Sequence, residues 1–273
     1  MSINLNHIFT TINADPYRED NYIEVEPCEA LKPYIRCFWG SKYSRYIKND
    51  TSDDINMSLV IPDVCMDIII TADTLRNKIY SNFCGINNFS FTSAESNDFC
   101  FGIRFYAWSV VLFATDNMNK VLNCFSDTEE YFSDFSNNLA EEIYLAKTFS
   151  DRINISENYL LSRLNTGRIN HDIYNSLYHI INEQARVNVT NLSDYCCLSK
   201  RQLERKFLEN TGVSPKQMIN LIRYQLLWQE SLKYDFNVQD CVEKFGYTDQ
   251  SHLLKNFKKY HGISLSEARL GLK

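Results

Sequence analysis

Glycine and proline are scarce in this chain, eight and five in 273 residues, and the motifs built on glycine are missing altogether. There is no G-x-x-x-x-G-K-[ST], no G-x-G-x-x-G and no G-x-S-x-G, which removes the phosphate-cradling loops and nucleophile elbows of the common nucleotide-dependent and acyl-transfer enzymes. The five histidines form no H-E-x-x-H, and His171 and His179 stand too far apart on one helix to share a ligand. The nine cysteines (28, 37, 65, 84, 100, 124, 196, 197 and 241) are odd in number and include no C-x-x-C pair. In a reducing compartment such cysteines behave as small buried hydrophobes. No apolar run is long enough to cross a membrane, and the N-terminal M-S-I-N-L-N-H-I-F-T lacks the basic, apolar and cleavage regions of a secretory signal. A cytoplasmic protein that is not an enzyme, carries no cofactor or metal and engages no membrane is the expectation.

Charge is unevenly divided. Residues 1–170 hold 14 Lys+Arg against 23 Asp+Glu, a net of −9, whereas residues 171–273 hold 14 against 11, a net of +3. The overall −6 therefore conceals a mildly basic C-terminal part. A small positive balance suits salt-sensitive binding at chosen nucleic-acid sites better than general coating of a polyanion. The acidic half would repel the same polyanion and confine contact to one face.

What the last hundred residues do contain is a repeated unit. The first copy, N-L-S-D-Y-C-C-L-S-K-R-Q-L-E-R-K-F-L-E-N-T-G-V-S-P, runs from Asn191 to Pro215. Leu192, Cys196, Leu203 and Phe207 share helical faces, and Ser199 is a good cap for a helix opening at Lys200. The second copy, V-Q-D-C-V-E-K-F-G-Y-T-D-Q-S-H-L-L-K-N-F-K-K-Y-H-G-I-S, runs from Val238 to Ser264. Val238, Cys241, Val242 and Phe245 make a buried stripe, Gly246 supplies a permissive turn, and Thr248 is read as the cap of the next helix, on which Leu253 and Phe257 point inward. Both copies close on Gly-x-Ser. Two helix-turn-helix units follow, joined by a helical segment from Pro215 to about Lys233 that would span roughly 25 to 30 Å. Successive major-groove faces recur about every 34 Å, so such a pair can read two of them.

Residues 171–273 resemble the double helix-turn-helix DNA-binding domain of the AraC/XylS family of bacterial transcription regulators. The string G-Y-T-D-Q-S-H-L-L-K-N-F-K-K-Y-H-G-I-S is close to that family's signature in order and spacing. The resemblance implies base-reading roles for Arg201, Glu204 and Arg205 on the first recognition helix and for Gln250, Ser251 and Lys255 on the second. Two positions depart from the pattern: Leu265 stands where the family usually has proline, and Leu254 where it often has a small polar residue. The side-chain chemistry agrees independently, since Arg grips guanine bidentately, Gln pairs with adenine and Glu accepts from cytosine, each good pair giving about 1 to 3 kcal/mol of discrimination. Lys200, Lys206, Lys258 and Lys259 suit phosphate, which positions without specifying.

The N-terminal half reads as mainly β. Runs rich in β-branched and aromatic residues, Ile35 to Trp39, Ser58 to Ile61, Met66 to Thr71 and Phe99 to Phe105, are punctuated by Asp, Asn, Pro and Gly. Helical character is expected from about Trp108 to Phe113 and again over Thr128 to Leu164, with a break near Asn154 to Ser156, and the segment 165–170 reads as a hinge. Phe38, Trp39, Phe101, Arg104, Tyr106 and Trp108 would give aromatic walls and a cationic anchor for a small effector, or they fill a β core. Asp63 and Asp67 read as turn-capping, solvated carboxylates. The strings E-A-L-K-P-Y-I-R-C-F-W, L-V-I-P-D-V-C-M-D-I-I-I and F-G-I-R-F-Y-A-W-S-V-V-L-F resemble an N-terminal sensory domain of one branch of the same family.

The expectation is thus an α+β chain. A mainly β, barrel-like sensory domain occupies residues 1–126, a helical connector with a dimerisation surface 127–170, and an all-α domain of two helix-turn-helix subdomains on a linker helix 171–273. The expected function is sequence-specific transcription regulation, usually activation, by a homodimer that binds double-stranded DNA, recruits RNA polymerase and answers to a small effector. Two alternatives remain: an N-terminal domain that binds a protein partner instead of a ligand, and redox sensing through Cys196 and Cys197.

Overall fold

The computed structural model describes residues 5–12, 22–41, 57–73, 76, 78–94 and 99–270. Its N-terminal part is a meeting of antiparallel strands: β1 (Tyr22–Val25), β2 (Ile35–Ser41), β3 (Met57–Val60), β4 (Cys65–Asp73), β5 (Lys78–Cys84), β6 (Phe91–Ala94), β7 (Cys100–Tyr106) and β8 (Phe125–Asp127). One sheet runs β1-β2-β7-β4-β5-β8, and β3 pairs with β6.

Alternation along the strands sorts the side chains onto two faces. The register Met66↔Phe105, Ile68↔Ile103, Ile70↔Phe101 and Phe38↔Ile103 gathers one wholly buried apolar face. Each of those side chains contributes roughly 1.5 to 3 kcal/mol through burial. Two helices cover that face, α1 (Asn137–Leu145) and α2 (Phe149–Arg163). Tyr144 meets Phe99 edge-on at 5.0 Å, and Phe149 meets Phe101 at 5.4 Å.

Three sequence expectations are corrected here. The Trp108 to Phe113 run is no helix beyond a 3₁₀ turn at Val110–Leu112, because those residues are buried on all sides and a short apolar run carries no period. The helical break falls at Ala146 to Thr148, not Asn154 to Ser156. Thr148 and Asp151 form a reciprocal capping box, whereas Ser156 lies inside α2 with its hydroxyl donating to the Arg152 carbonyl at 2.8 Å. The expected hinge is pinned: Asn165 N–H donates to Leu112 O at 2.9 Å, and the Arg168 guanidinium donates to Ala114 O and to Asp116 O.

The C-terminal part is all helical: α3 (His171–Asn182), α4 (Val189–Tyr195), α5 (Lys200–Thr211), α6 (Pro215–Ser231), α7 (Val238–Lys244), α8 (Gln250–His261) and α9 (Leu265–Leu270). The α+β division of the sequence reading holds. Helix α6, 17 residues long, is the axis; at 1.5 Å per residue it spans about 25 Å. It buries residues around most of its circumference, among them Met218, Leu221, Tyr224, Gln225 and Trp228, because it packs on both helix-turn-helix units and on the N-terminal part. The buried apolar side chains of the two parts form one connected core from Leu5 to Ala268. Among the described residues no helix is long and apolar enough to cross a membrane.

Candidate nucleic-acid interface

The two helix-turn-helix units are built by the same local physics. Helix α4 ends with Cys197 N–H bonded to Asp194 O and Leu198 N–H to Ser193 O; α7 ends with Gly246 N–H bonded to Glu243 O and Tyr247 N–H to Val242 O. These are paired Schellman closures, and each needs a left-handed residue. Gly246 supplies it at φ +69° and Cys197 at φ +54°. The glycine was legible in the sequence, but its cysteine counterpart was not.

Each recognition helix then opens on a side-chain cap. Ser199 accepts from Gln202 N–H, and the Gln202 side chain returns a bond from Ser199 N–H. For the second helix the cap is Asp249, which accepts from His252 N–H at 2.7 Å, and not Thr248 as the sequence reading had it. The second turn is one residue longer, so the capping oxygen moves on by one. The Gly-x-Ser endings also have a physical basis. Gly212 and Gly262 close α5 and α8 at positive φ, while Ser214 and Ser264 cap α6 and α9 through reciprocal bonds with Gln217 and Glu267. Leu265 occupies the first-turn position that Pro215 holds in the first copy, and the capping box starts the helix without proline.

All six proposed base readers, Arg201, Glu204, Arg205, Gln250, Ser251 and Lys255, are exposed on α5 and α8. Arg205 lies 3.9 Å from Glu209 in the surface ion pair of α5. Of the four lysines assigned to phosphate, Lys200, Lys258 and Lys259 are exposed, whereas Lys206 is half-buried and pairs with Asp172 of α3 at 3.0 Å. Leu254 packs against the core and is half-buried. A groove of about 730 Å³ along α5 is lined by Arg201, Glu204, Arg205 and Leu208 and also by Asn119 of the N-terminal part.

The six residues read as an effector pocket do not converge. Phe38 and Phe101 stack at 6.1 Å within the apolar face. Trp39 and Arg104 lie on the opposite face, where Gly102 leaves the space that Trp39 occupies. Tyr106 and Trp108 stack on each other at 4.8 Å, both buried. Arg104 is no open anchor: its Nε donates to Asp67 Oδ1 at 2.9 Å, Asp63 Oδ2 is 3.7 Å away, and Trp39 Nε1 donates to the same Asp67 oxygen at 2.7 Å. Burial alone would lower the Arg104 pKa, but Asp67 and Asp63 hold it well above its usual value. Asp63 and Asp67, expected to be solvated, are both buried. Burial pushes Asp63 up to about 6, with Arg104 opposing and Asp67 adding. Nothing in their spacing signalled this, since the partner arrives from a strand 37 residues away.

A family model described as a helix-turn-helix domain matches residues 192–270, and one described as a domain of unknown function (DUF6597) matches residues 23–125. The lactose operon transcription activator of Staphylococcus xylosus is 29% identical over 102 residues, which is 37% of each chain. Residues 192–270 thus hold a helix-turn-helix domain. The chain matches only 37% of the length of that curated relative. Among solved structures it is similar to the DNA-binding domain of AdpA in complex with a target DNA, at 22% identity and a TM-score of 0.33 over 36% of this chain and 89% of that one. It is also similar to ToxT from Vibrio cholerae, at 15% identity and a TM-score of 0.40 over 97% of this chain and 100% of that one.

Proposed function

We propose that the chain is a sequence-specific, DNA-binding transcription regulator that inserts α5 and α8 into two successive major-groove segments. One observation carries this: two recognition helices, each opened by a side-chain cap and presenting exposed Arg, Gln or Lys near its N-terminal end, are held on one buried helix about 25 Å long. Successive major-groove faces recur about every 34 Å, and the two heads, set on either side of that helix, are read as spanning them. Arg201 and Gln250 read base edges, while Lys200, Lys258 and Lys259 hold phosphate. Lys206, occupied by Asp172, is the weakest of the phosphate contacts. A cytoplasmic location and the recruitment of RNA polymerase belong to this reading, and the likeness to the staphylococcal transcription activator favours activation.

Control lies with the N-terminal domain, acting through dimerisation or an effector. The filled aromatic core and the internally neutralised Arg104 favour the second reading, in which that domain answers to a protein partner and no small ligand. For redox control through Cys196 and Cys197, burial raises the Cys196 pKa while Ser176, 3.0 Å from its sulfur, opposes that rise, and Cys197 is the exposed thiol of the two. Footprinting of the full chain on a high-affinity duplex tests the proposal. Two protected major-groove segments on one face of the DNA, one turn apart, are expected; a single protected segment contradicts it.

A further inference from the structure

The N-terminal domain does more than sit behind the reading heads. Both Gly-x-Ser turns, at the C-terminal ends of the two recognition helices, touch it. A Cβ placed on Gly212 would strike Val121 Cγ2 and lie 2.8 Å from Met118 O, and one placed on Gly262 would lie 2.6 Å from Ser90 Oγ. At α5 the contact is tighter still, since Met118 N–H donates to Glu209 O at 2.9 Å.

Between Met118 and Val121, both fully buried, stand Asn119 and Lys120, both exposed. The loop that carries them is internally fixed. Asn117 Oδ1 accepts from Asn119 N–H at 3.2 Å, Val121 N–H bonds to Met118 O at 3.3 Å, and Arg168 holds the carbonyls of Ala114 and Asp116. Two polar residues are thus presented between two hydrophobic anchors, on a loop docked to the recognition helix. Asn119 lines the same groove along α5 as Arg201 and Arg205.

We propose that Asn119 and Lys120 form a third DNA contact, supplied by the N-terminal domain, that grips the sugar-phosphate backbone beside the major-groove segment read by α5. This rests on the reading of α5 as a recognition helix. A duplex whose major groove receives the outer face of α5 must pass its backbone along the walls of that groove, and Asn119 is one of those walls. An amide donor and an ammonium are suited to phosphate oxygens and carry no base preference. Because the loop is already ordered, little conformational entropy is lost when it binds. Asp116, exposed in the same loop, opposes the contact, so the loop's charge balance depends on Lys120 and on Arg168 at its base.

The test is a titration of full-length wild type and the N119D and K120Q variants on one high-affinity duplex and one scrambled duplex, each over a series of salt concentrations. K120Q is expected to weaken binding to both duplexes alike and to reduce the salt slope by about 1. N119D, which sets a carboxylate against phosphate, is expected to weaken both by about tenfold or more. Equal affinities and slopes for all three proteins overturn the proposal, as does tighter binding by either variant, which would make the loop an obstacle. R201A on the same duplexes keeps the two readings apart: if it loses preference for the high-affinity site while the loop variants match wild type, the reading of α5 stands and the third contact falls. Wild type that binds neither duplex removes both.

Discussion

Gln225, in the middle of α6, pairs with Ile12 as one peptide group pairs with another. Its Oε1 accepts from Ile12 N–H at 2.8 Å and its Nε2 donates to Ile12 O at 2.7 Å. The same Nε2 donates to Pro62 O, and four residues on Gln229 donates to Thr10 O. One buried side chain of the helix that spaces the reading heads thereby fixes two separate segments of the N-terminal domain.

Truncation of that side chain leaves a buried N–H and two carbonyls unpaired, each lost partner costing about 1 to 3 kcal/mol. Gln225→Ala is therefore expected to lower the thermal midpoint and to raise hydrogen exchange selectively in residues 5–12. Loss of stability without faster exchange there would assign the effect to α6 packing alone.

Cys197 holds a left-handed conformation that disfavours any residue with a Cβ. Cys197→Gly should relieve that strain at the cost of a looser unfolded chain, for a net stabilisation of about 0.5 to 1 kcal/mol. Chemical denaturation of the two proteins under reducing conditions measures it, and a destabilised variant would mean that the thiol has a packing role.

Arg104→Met leaves Asp63 and Asp67 facing each other in a buried site. Breaking a buried pair in this way costs about 3 to 5 kcal/mol. The variant is expected to lose its N-terminal fold or unfold at a much lower denaturant concentration. A stable variant with altered response to small anions would restore the effector-anchor reading.

His261 accounts for a pH dependence. It is packed among Tyr224, Trp228 and Phe257, with Nδ1 2.8 Å from the Tyr224 hydroxyl, and burial lowers its pKa from 6.5 to about 4. Its folded pKa lies below the unfolded one, so the unfolded chain takes up the proton first. The contribution is complete above about pH 6.5 and is lost as pH falls towards 4. Asp63, with its folded pKa raised from 3.8 to about 6, acts in the opposite sense, favouring the folded state more at the acid end of that window. Stability profiles of wild type and His261→Gln separate the two: the variant should lose the acid-side decline, and an unchanged decline would exclude His261 as its source.

The second half of the chain was legible because its signals are local. Ser199, Pro215, Gly246 and the two Gly-x-Ser turns each fix a cap or a turn within a few residues, and the structure uses them nearly as spelled. The first half was legible where apolar alternation is strong, as in β2, β4 and β7. It was silent for β1 and β8, short edge strands carrying Glu24 and Asp127, and for β5, whose Ser81 and Asn82 dilute the pattern. The Arg104 cluster and the Gln225 clamp lay beyond sequence because their partners come from distant segments. The residues proposed as readers are exposed on α5 and α8 as the helical periodicity implied, but the neighbouring Asn119 loop gave no signal, since nothing in N-M-N-K announces a helix-turn-helix unit beside it.

In the proposed function Arg201 reads bases and Lys258 holds phosphate. Arg201→Ala is expected to relax preference at particular base pairs by about 1 to 3 kcal/mol, whereas Lys258→Ala weakens all duplexes alike and lowers the salt slope by about 1. Affinities on single-base variants of one site, at several salt concentrations, check both; identical behaviour of the two variants would erase the distinction.

Selection of bound duplexes from a random DNA pool by the full-length protein is the most direct measurement. An enriched bipartite site is predicted, its halves about 10 base pairs apart and each lost when Arg201 or Gln250 is replaced by alanine. Enrichment of a single undivided half-site, or of nothing above the starting pool, would contradict a protein that reads DNA with two heads.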